Sequence, residues 1–431
     1  MAGTSDNPRL ILGLKLRDRR QGKGLTLADL AARAGLSISY LSEVERGRKY
    51  PKPEILQRLS AALALPFDEL VSLQVSGELA PLKAALESPL LRGFPFELFG
   101  IEPHDLVELA GEDPARFAAF LHTFVEVGRS YDLRVEQFLL AALRSYQQLH
   151  RNYFADLEEA ALAFRRRHLR QPPGPLPPEE LSGLLVRLYG YELDTATLAA
   201  AADLASFRSA FRGGRRPRLF LNSRLQPSQR AFVLARELGY RHLDLRERAV
   251  SSSWLKVESW DQVLNHFKAS YFAGALLLDR EELLADLGGF FERPRWDGQA
   301  LLAMMERTAV TPETFFTRLT QLLPEFFGLA EIFFLRFTVP VDAEGYRLTK
   351  FLNLSSVPVP HDVGLNEHYC RRWPALRLLG SAASSAAAAP VVVAQRSHFL
   401  DEDAEFFVIA MARPLALAEE RNSSVTLGFR L

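Results

Sequence analysis

Cysteine is nearly absent from this chain: Cys370 is the single one in 431 residues. One thiol excludes an internal disulfide and any multi-cysteine metal centre within the chain, and it fits a reducing compartment. Long apolar runs are missing as well. None approaches the roughly 20 residues of a membrane-spanning helix, and the first residues lack the apolar core of a secretion signal. Net charge is absent too, with 52 Lys and Arg against 52 Asp and Glu. These absences predict a cytoplasmic protein. What remains is ordinary globular composition, 48% hydrophobic and 24% charged, in a chain long enough for two to four domains.

Charge is unevenly placed. Between Met1 and Leu70 there are 12 Lys and Arg against 8 Asp and Glu, a net of +4, so the remainder carries −4. Within that stretch, LTLADLAARAGLSISYLSEVERGRKYPKP (Leu25–Pro53) reads as two short helices around a tight turn. Thr26 is a natural N-cap, and Leu27, Leu30 and Ala31 give one apolar face. Gly35 sits where the first helix must stop in a left-handed conformation. Ser37 caps a second helix, Ile38 to Arg46, with Ile38, Leu41 and Val44 expected inward. Ser39, Tyr40, Ser42 and Glu43 face outward and suit a helix in a DNA major groove. Arg46, Arg48, Lys49 and Lys52 supply phosphate contacts. The candidate DNA contacts are Thr26, Ser37, Ser39, Tyr40, Ser42, Arg46, Arg48, Lys49 and Lys52. With Gln21-Gly22 and ERGRKYPKP as further marks, residues 8–72 resemble the lambda-repressor-like (Xre-type) helix-turn-helix family. The resemblance implies a five-helix module binding double-stranded DNA as a dimer on a palindromic operator. A small helical bundle that binds protein instead is the competing reading.

Further along, Gly77–Pro103 mixes Pro, Gly and apolar residues and reads as a link. PARFAAFLHTFVEVGRSYD, LRVEQFLLAALRSYQQLH and NYFADLEEAALAFRRRHL predict three amphipathic helices. The stripe Phe117, Phe120, Leu121, Phe124 is expected to serve as core or dimer contact. Five prolines in Gln171–Glu180 break the chain. After them LSGLLVRLYGYEL reads as helix, RRPRLFLNSRL as a short strand, then long helices over Gln226–Leu245 and Asp261–Leu287. From about Gly328 the period changes to two, predicting five strands, with a hairpin turn at Asp342–Gly345 and a low-complexity loop over Ser381–Pro390. The expected parts are 1–75 DNA-binding, 76–170 helical linker and dimerisation, 171–327, and an α+β ligand-sensing part at 328–431. The fold class is mostly α with an α+β C-terminal part.

QRAFVLARELGYRHLDL (Gln229–Leu245) nearly spells a zinc-protease helix. HExxH sets two histidines at i and i+4 for zinc, with the Glu as general base. Here the pattern reads Arg236-Glu237-Leu238-Gly239-Tyr240, and His242 faces another side. The surroundings resemble the ImmA/IrrE-type metallopeptidase family, and FKASYFAGALLLDREEL resembles its third-ligand helix, where Lys268 and Ala269 offer no carboxylate. The resemblance implies a degenerate zincin-like domain, with no metal and no catalytic residue. An active peptidase that cleaves a repressor is the minor alternative.

The order of these parts, with Asn152–Ala160, VDAEGYRLTKF (Val341–Phe351) and NEHYCRRWPALRLL (Asn366–Leu379), resembles the short-chain fatty acyl transcriptional regulators. Some members of that group hold an iron–sulfur cluster on several cysteines; Cys370 alone does not suffice. The resemblance implies no cofactor, a homodimer, and an acyl-CoA or related small effector. Arginine forks suit phosphates, and the candidate ligand residues are Arg165, Arg166 and Arg167, then Arg215, Arg216 and Arg218, then Arg371 and Arg372 beside Trp373. Solvated basic faces, with Trp373 in a core, are the ordinary reading of the same residues. A C-terminal half that binds a protein partner is the alternative to a small effector.

Overall fold

The computed structural model describes residues 8–72, 88, 94–101, 105, 114–130, 134–169, 174–248, 259–340, 346–359, 372–382, 391–400, 402–414 and 420–431. The expected link 77–103, the turn Asp342–Gly345, Cys370, Arg371 and most of the low-complexity loop lie wholly or mainly outside these residues. The chain divides into two compact units, 1–142 with 258–260, and 143–257 with 261–431.

The first unit opens with five helices: α1 (Pro8–Gly22), α2 (Leu27–Ala34), α3 (Ile38–Glu45), α4 (Pro53–Leu63) and α5 (Phe67–Val71). The local signals act as expected. Thr26 and Asp29 form a reciprocal capping box, Gly35 ends α2 at φ +62°, and the Tyr40 amide donates to Ser37 Oγ at 3.2 Å. Leu12, Leu16, Leu30, Leu41, Val44 and Leu59 close one core. Ile38 departs from expectation: it is 53% exposed, while Leu41, Val44 and Glu45 form the buried face of α3. Its place in the first turn, ahead of the packed residues, leaves it in solvent. In the same unit α6 (Pro114–Ser130) bears Phe120 and Phe124, each 57% exposed with ring centroids 5.0 Å apart.

α7 (Val135–Leu149) leads by sequence to α8 (Ala155–His168), and α9 (Pro178–Tyr189) follows the proline break. Gly190 stops α9, so the expected helical stretch ends as a strand, β1 (Glu192–Asp194). β1 pairs in parallel with β3 (Arg218–Leu221), and β2 (Ser209–Arg212), which the sequence reading lacks, pairs antiparallel with β3. A short helix α10 (Thr197–Ala200) intervenes between β1 and β2. After α11 (Pro227–His242), the helix expected over Asp261–Leu287 is two: α12 (Trp260–Leu277) and α13 (Arg280–Phe291). Asp279 makes the break, its side chain accepting from the amides of Glu281 and Glu282. α14 (Gly298–Arg307) and α15 (Pro312–Phe326) complete the helical part.

The five expected strands are present: β4 (Ile332–Pro340), β5 (Arg347–Asn353), β6 (Val391–Phe399), β7 (Ala404–Pro414) and β8 (Glu420–Arg430), with α16 (Pro374–Ala382) before β6. They form an antiparallel sheet in the order β5-β4-β8-β7-β6. Alternation along β4 sorts its side chains. Phe333, Leu335 and Phe337 pack with α16, while Ile332 and Phe334 join the helical core with Phe315 and Leu319 of α15. The compact units therefore do not follow the expected divisions at 170 and 327: α8, the zincin-like helices and the sheet share one core. An ion pair inside it ties α8 to α15. The Arg318 guanidinium donates to both Glu158 oxygens at 2.5 and 2.8 Å, and Tyr271 of α12 donates to the same carboxylate at 2.7 Å.

Candidate functional site

α3 is held at a defined angle by a second buried ion pair. Arg20 Nε and Nη2 of α1 donate to Glu45 at 2.7 and 2.9 Å, and Arg20 Nη1 donates to the Leu25 carbonyl at 2.9 Å. The hydrogen bond to Glu45 raises the Arg20 pKa above its ordinary value. Beside the pair lies an open groove of about 300 Å³ lined by Arg17, Arg20, Leu27, Ser42, Glu45 and Arg46. On the outward side Ser39, Arg46, Arg48, Lys49 and Lys52 are exposed, with Tyr40 and Ser42 half-buried. Thr26 and Ser37 spend their side chains on caps. Lys49 pairs with Glu43 at 2.6 Å and lies 5.7 Å from the Tyr40 ring centroid. The sequence reading missed Arg17, on the groove, and Ile38, an exposed aliphatic side chain in the first turn of α3 that suits a thymine methyl. A charged α1 residue offers no sequence signal of its own, whereas the +4 excess pointed to this surface.

The second site lies in the larger unit, at Arg236–Tyr240 of α11. α11 and α12 touch closely at Gly239: a Cβ there would stand 3.0 Å from the Ala269 carbonyl oxygen, so a larger residue would push the two helices apart by a few tenths of an ångström. That contact brings His266 of α12 to the site, with Nδ1 at 3.1 Å from Tyr240 Oη. The expectation had looked at Lys268 and Ala269, and the helix crossing selects the residue nearly one turn earlier. Burial, then the positive Arg236, Lys350 and Arg248, hold the His266 imidazole well below its ordinary pKa, so it is neutral. His242 points elsewhere, against Phe164 and Phe272.

Glu237, the one catalytic position retained, is buried and fully engaged. Arg248 Nη1 and Nη2 donate to its oxygens at 2.5 and 2.7 Å, and Tyr191 Oη donates at 2.5 Å. Arg241 Nε donates to Tyr191 Oη at 2.7 Å, closing a chain. The Arg248 guanidinium is also sandwiched, 3.8 Å from the Phe211 ring centroid and 4.0 Å from that of Tyr240. Burial opposes its charge, but the Glu237 hydrogen bonds outweigh that and raise its pKa. Burial, then the Glu237 charge, push the Tyr191 hydroxyl up, so it stays a donor.

At the two metal-ligand positions the Arg236 guanidinium offers no lone pair, and burial raises the pKa of the Tyr240 hydroxyl, so it keeps its proton. Among the described residues no group of three or more His, Cys, Asp or Glu could hold a metal. The donor set does not fit zinc, and a carboxylate clamped by a guanidinium is a poor general base.

Of the candidate ligand arginines, Arg165, Arg216 and Arg218 are engaged locally. Arg165 donates to the Leu276 carbonyl at 2.9 Å and lies 3.8 Å from Asp279. Arg216 lies 3.8 Å from Glu192, and Arg218 meets Asp194 at 3.0 Å. Arg166, Arg167, Arg215 and Arg372 carry no ion pair among the described residues. Trp373 packs with Phe333, Phe337 and Phe399 under α16. Among the described residues no hydrogen bond or ion pair links these clusters to one another.

Comparison with known proteins gives two family matches, Helix-turn-helix over residues 16–70 and IrrE N-terminal-like domain over residues 195–320. The chain is similar to the transcriptional regulator ClgR of Mycobacterium tuberculosis, 45% identical over 58 residues, 14% of this chain and 52% of that protein. It thus spans about half the length of that relative. It is also similar to the uncharacterized HTH-type transcriptional regulator y4dJ of Sinorhizobium fredii, 41% identical over 64 residues, 15% of this chain and 83% of that protein. A solved structure, a Mycobacterium tuberculosis transcriptional regulator, aligns at 20% identity and a TM-score of 0.47, covering 66% of this chain and 78% of that one. No helix among the described residues is long and apolar enough to cross a membrane. The chain belongs to the helix-turn-helix transcriptional regulators and carries an IrrE N-terminal-like domain behind that module.

Proposed function

We propose that this protein is a cytoplasmic transcriptional regulator that binds double-stranded DNA as a homodimer and responds to a small acidic effector, a short-chain acyl-CoA or a related metabolite. The observation that carries the DNA-binding part is the capped α2–α3 pair, with the outer face of α3 edged by Arg17, Arg46, Arg48 and Lys52. A module of this size buries little surface alone, whereas a dimer reads two half-sites about 34 Å apart. The exposed Phe120 and Phe124 of α6 support self-association.

Operator binding by the full chain tests the reading. Replacing Ser39 and Tyr40 together lowers sequence preference. Replacing Arg48 and Lys49 weakens binding to all sequences and reduces the salt slope by about 2. Selectivity that survives the Ser39 and Tyr40 change removes α3 as the reader.

The altered cleft supports a non-enzymatic role. Elemental analysis of the purified protein is expected to find no stoichiometric zinc. One tightly bound zinc per chain, lost in Glu237→Ala, would favour the peptidase alternative.

A further inference from the structure

The helix α6 carries more apolar surface than its own unit covers. Its apolar residues span an arc about 180° wide at about 100° per residue, whereas ~100° is enough to seat a surface helix. The arc is divided in use. On one half Ala118 and Val125 are 2% and 3% exposed, and they seat α6 in the first unit. On the other half Phe120, Phe124 and Val127 are 57%, 57% and 49% exposed, with Phe117 half-buried at the end of the row. The rings form one ridge: the Phe117 and Phe120 centroids lie 6.4 Å apart, those of Phe120 and Phe124 5.0 Å. Charge keeps off this ridge. His122 lies 3.9 Å from Glu126 along the polar side of the same helix.

Spacing says what covers the ridge. Phe117, Phe120, Phe124 and Val127 follow one another at steps of 3, 4 and 3 residues, the a/d seam of a coiled coil. That order of steps reads the same from either end. Two copies laid antiparallel, about a two-fold axis at position 122, set Phe117 against Val127 and Phe120 against Phe124, so every seam residue meets a seam residue. The same two-fold brings Arg116, in the first turn, beside the C-terminal turn of the other copy, where the helix dipole favours a cation. Thr123, flanking the seam, spends its hydroxyl on the Ala119 carbonyl at 3.0 Å and asks nothing of a partner. A foreign helix could cover an apolar ridge, but it would not call for this symmetric spacing. We infer that α6 is the dimer interface of this protein and that its occupant is α6 of a second copy, packed antiparallel. The inference rests on the reading that two copies share one operator, and it gives that dimer its surface. A seam this short buries on the order of 800 Å² over both copies, below the roughly 1,200 Å² of a stable interface, so the dimer is weak alone. Two modules held on one operator are at high effective concentration, and DNA thereby consolidates it.

The test is sedimentation of the full chain without DNA, through the micromolar range. The parent passes reversibly from monomer to dimer. Phe120→Ser with Phe124→Ser stays monomeric over the same range and melts with the parent, because both side chains are exposed in the single chain. Phe120→Leu with Phe124→Leu keeps the seam apolar and dimerises within about tenfold of the parent. Disulfide formation reads the geometry in a Cys370→Ser background, which removes the one native thiol. Phe120→Cys mixed with Phe124→Cys gives a covalent dimer on oxidation. Neither does so alone, since like positions in the antiparallel pair stand too far apart for a disulfide. A parent that stays monomeric, a dimer that survives the double serine change, or Phe124→Cys joining to itself overturns the antiparallel seam. Operator titration, in which the double serine variant binds at least about tenfold more weakly, separates the two readings. Dimerisation lost with operator affinity unchanged keeps the interface and removes the dimeric DNA reading. Operator taken up two copies at a time by a parent whose dimer survives the double serine change keeps that reading and removes the interface.

Discussion

Two arginine–glutamate pairs, one in each compact unit, are nearly identical in form and opposite in meaning. Arg20–Glu45 has side chains 12% and 6% exposed, Arg248–Glu237 13% and 4%, and both are bidentate at 2.5–2.9 Å. The first joins α1 to α3, the second helix of the helix-turn-helix pair. The second fills a cleft whose glutamate, in the related HExxH pattern, is a base beside a metal. In the small module the pair serves a surface. In the larger unit it closes one. The same chemistry thus holds a helix in one place and engages a motif carboxylate in another, and the surroundings, not the pair, decide which.

The largest expected effect comes from breaking each pair with Glu→Gln, which leaves a buried arginine without its counter-charge at a cost of about 3–5 kcal/mol. A module of some 65 residues has only about 3–10 kcal/mol of stability. Glu45→Gln therefore abolishes operator binding, with loss of the first unit's cooperative melting. Glu237→Gln lowers the melting temperature of the larger unit, which stays folded, and leaves operator affinity intact at room temperature. Calorimetry and gel-shift titration of both variants check this. If Glu237→Gln also abolished DNA binding, the two pairs would not be independent.

The contrast also explains what the sequence made legible. Caps, the Gly35 turn and the polar outer face of α3 are short-range features, each readable within a few residues. The five strands were readable by their period of two. Arg20–Glu45 spans 25 positions, Arg318–Glu158 spans 160, and neither partner carries a mark of the other. Loss of zinc ligands was visible in Arg236 and Tyr240, because an exception to a motif is a local fact. That Arg248 would clamp Glu237, and that His266 rather than Lys268 would face Tyr240, depended on a chain segment beyond α11 and on a helix crossing. The compact units differ from the divisions expected at 170 and 327 for the same reason: β-rich periodicity at 328 marks a change of structure, and the core continues across it.

Acid sharpens the comparison with a smaller effect. His266, near Tyr240, Arg236, Lys350 and Arg248, is held neutral in the fold, and burial chiefly lowers the pKa of His242 as well. A folded pKa below the unfolded value of about 6.5 means full stability above that pH and loss as pH falls below it, approaching about 1.4 kcal/mol per pH unit for each such group. The depressed carboxylates Glu158 and Glu313 act lower, below about pH 4.3. Denaturant unfolding between pH 7.5 and 5.5 should show the larger unit weakening, with His266→Gln flattening the slope. An unaltered slope in that variant would mean His266 already takes up its proton in the fold.

The smallest effect belongs to the helix cap. Thr26 Oγ1 accepts the Asp29 amide at 3.1 Å, and the Asp29 carboxylate accepts the Thr26 amide at 2.9 Å. Thr26→Ala removes one side of this box and costs about 1 kcal/mol, roughly fivefold in the opening equilibrium of α2. Hydrogen exchange reads it directly: the Asp29 amide, left without its acceptor, and its neighbours in the first turn exchange faster. Because the cap is local, amides of α11 and α12 keep their parent rates, and operator affinity falls only slightly, since Leu30, Ala31 and Ala34 still seat α2 in the core. Faster exchange spread through α11 and α12 would show the two units coupled, and the contrast between a locally encoded module and a long-range one would fail at its simplest point.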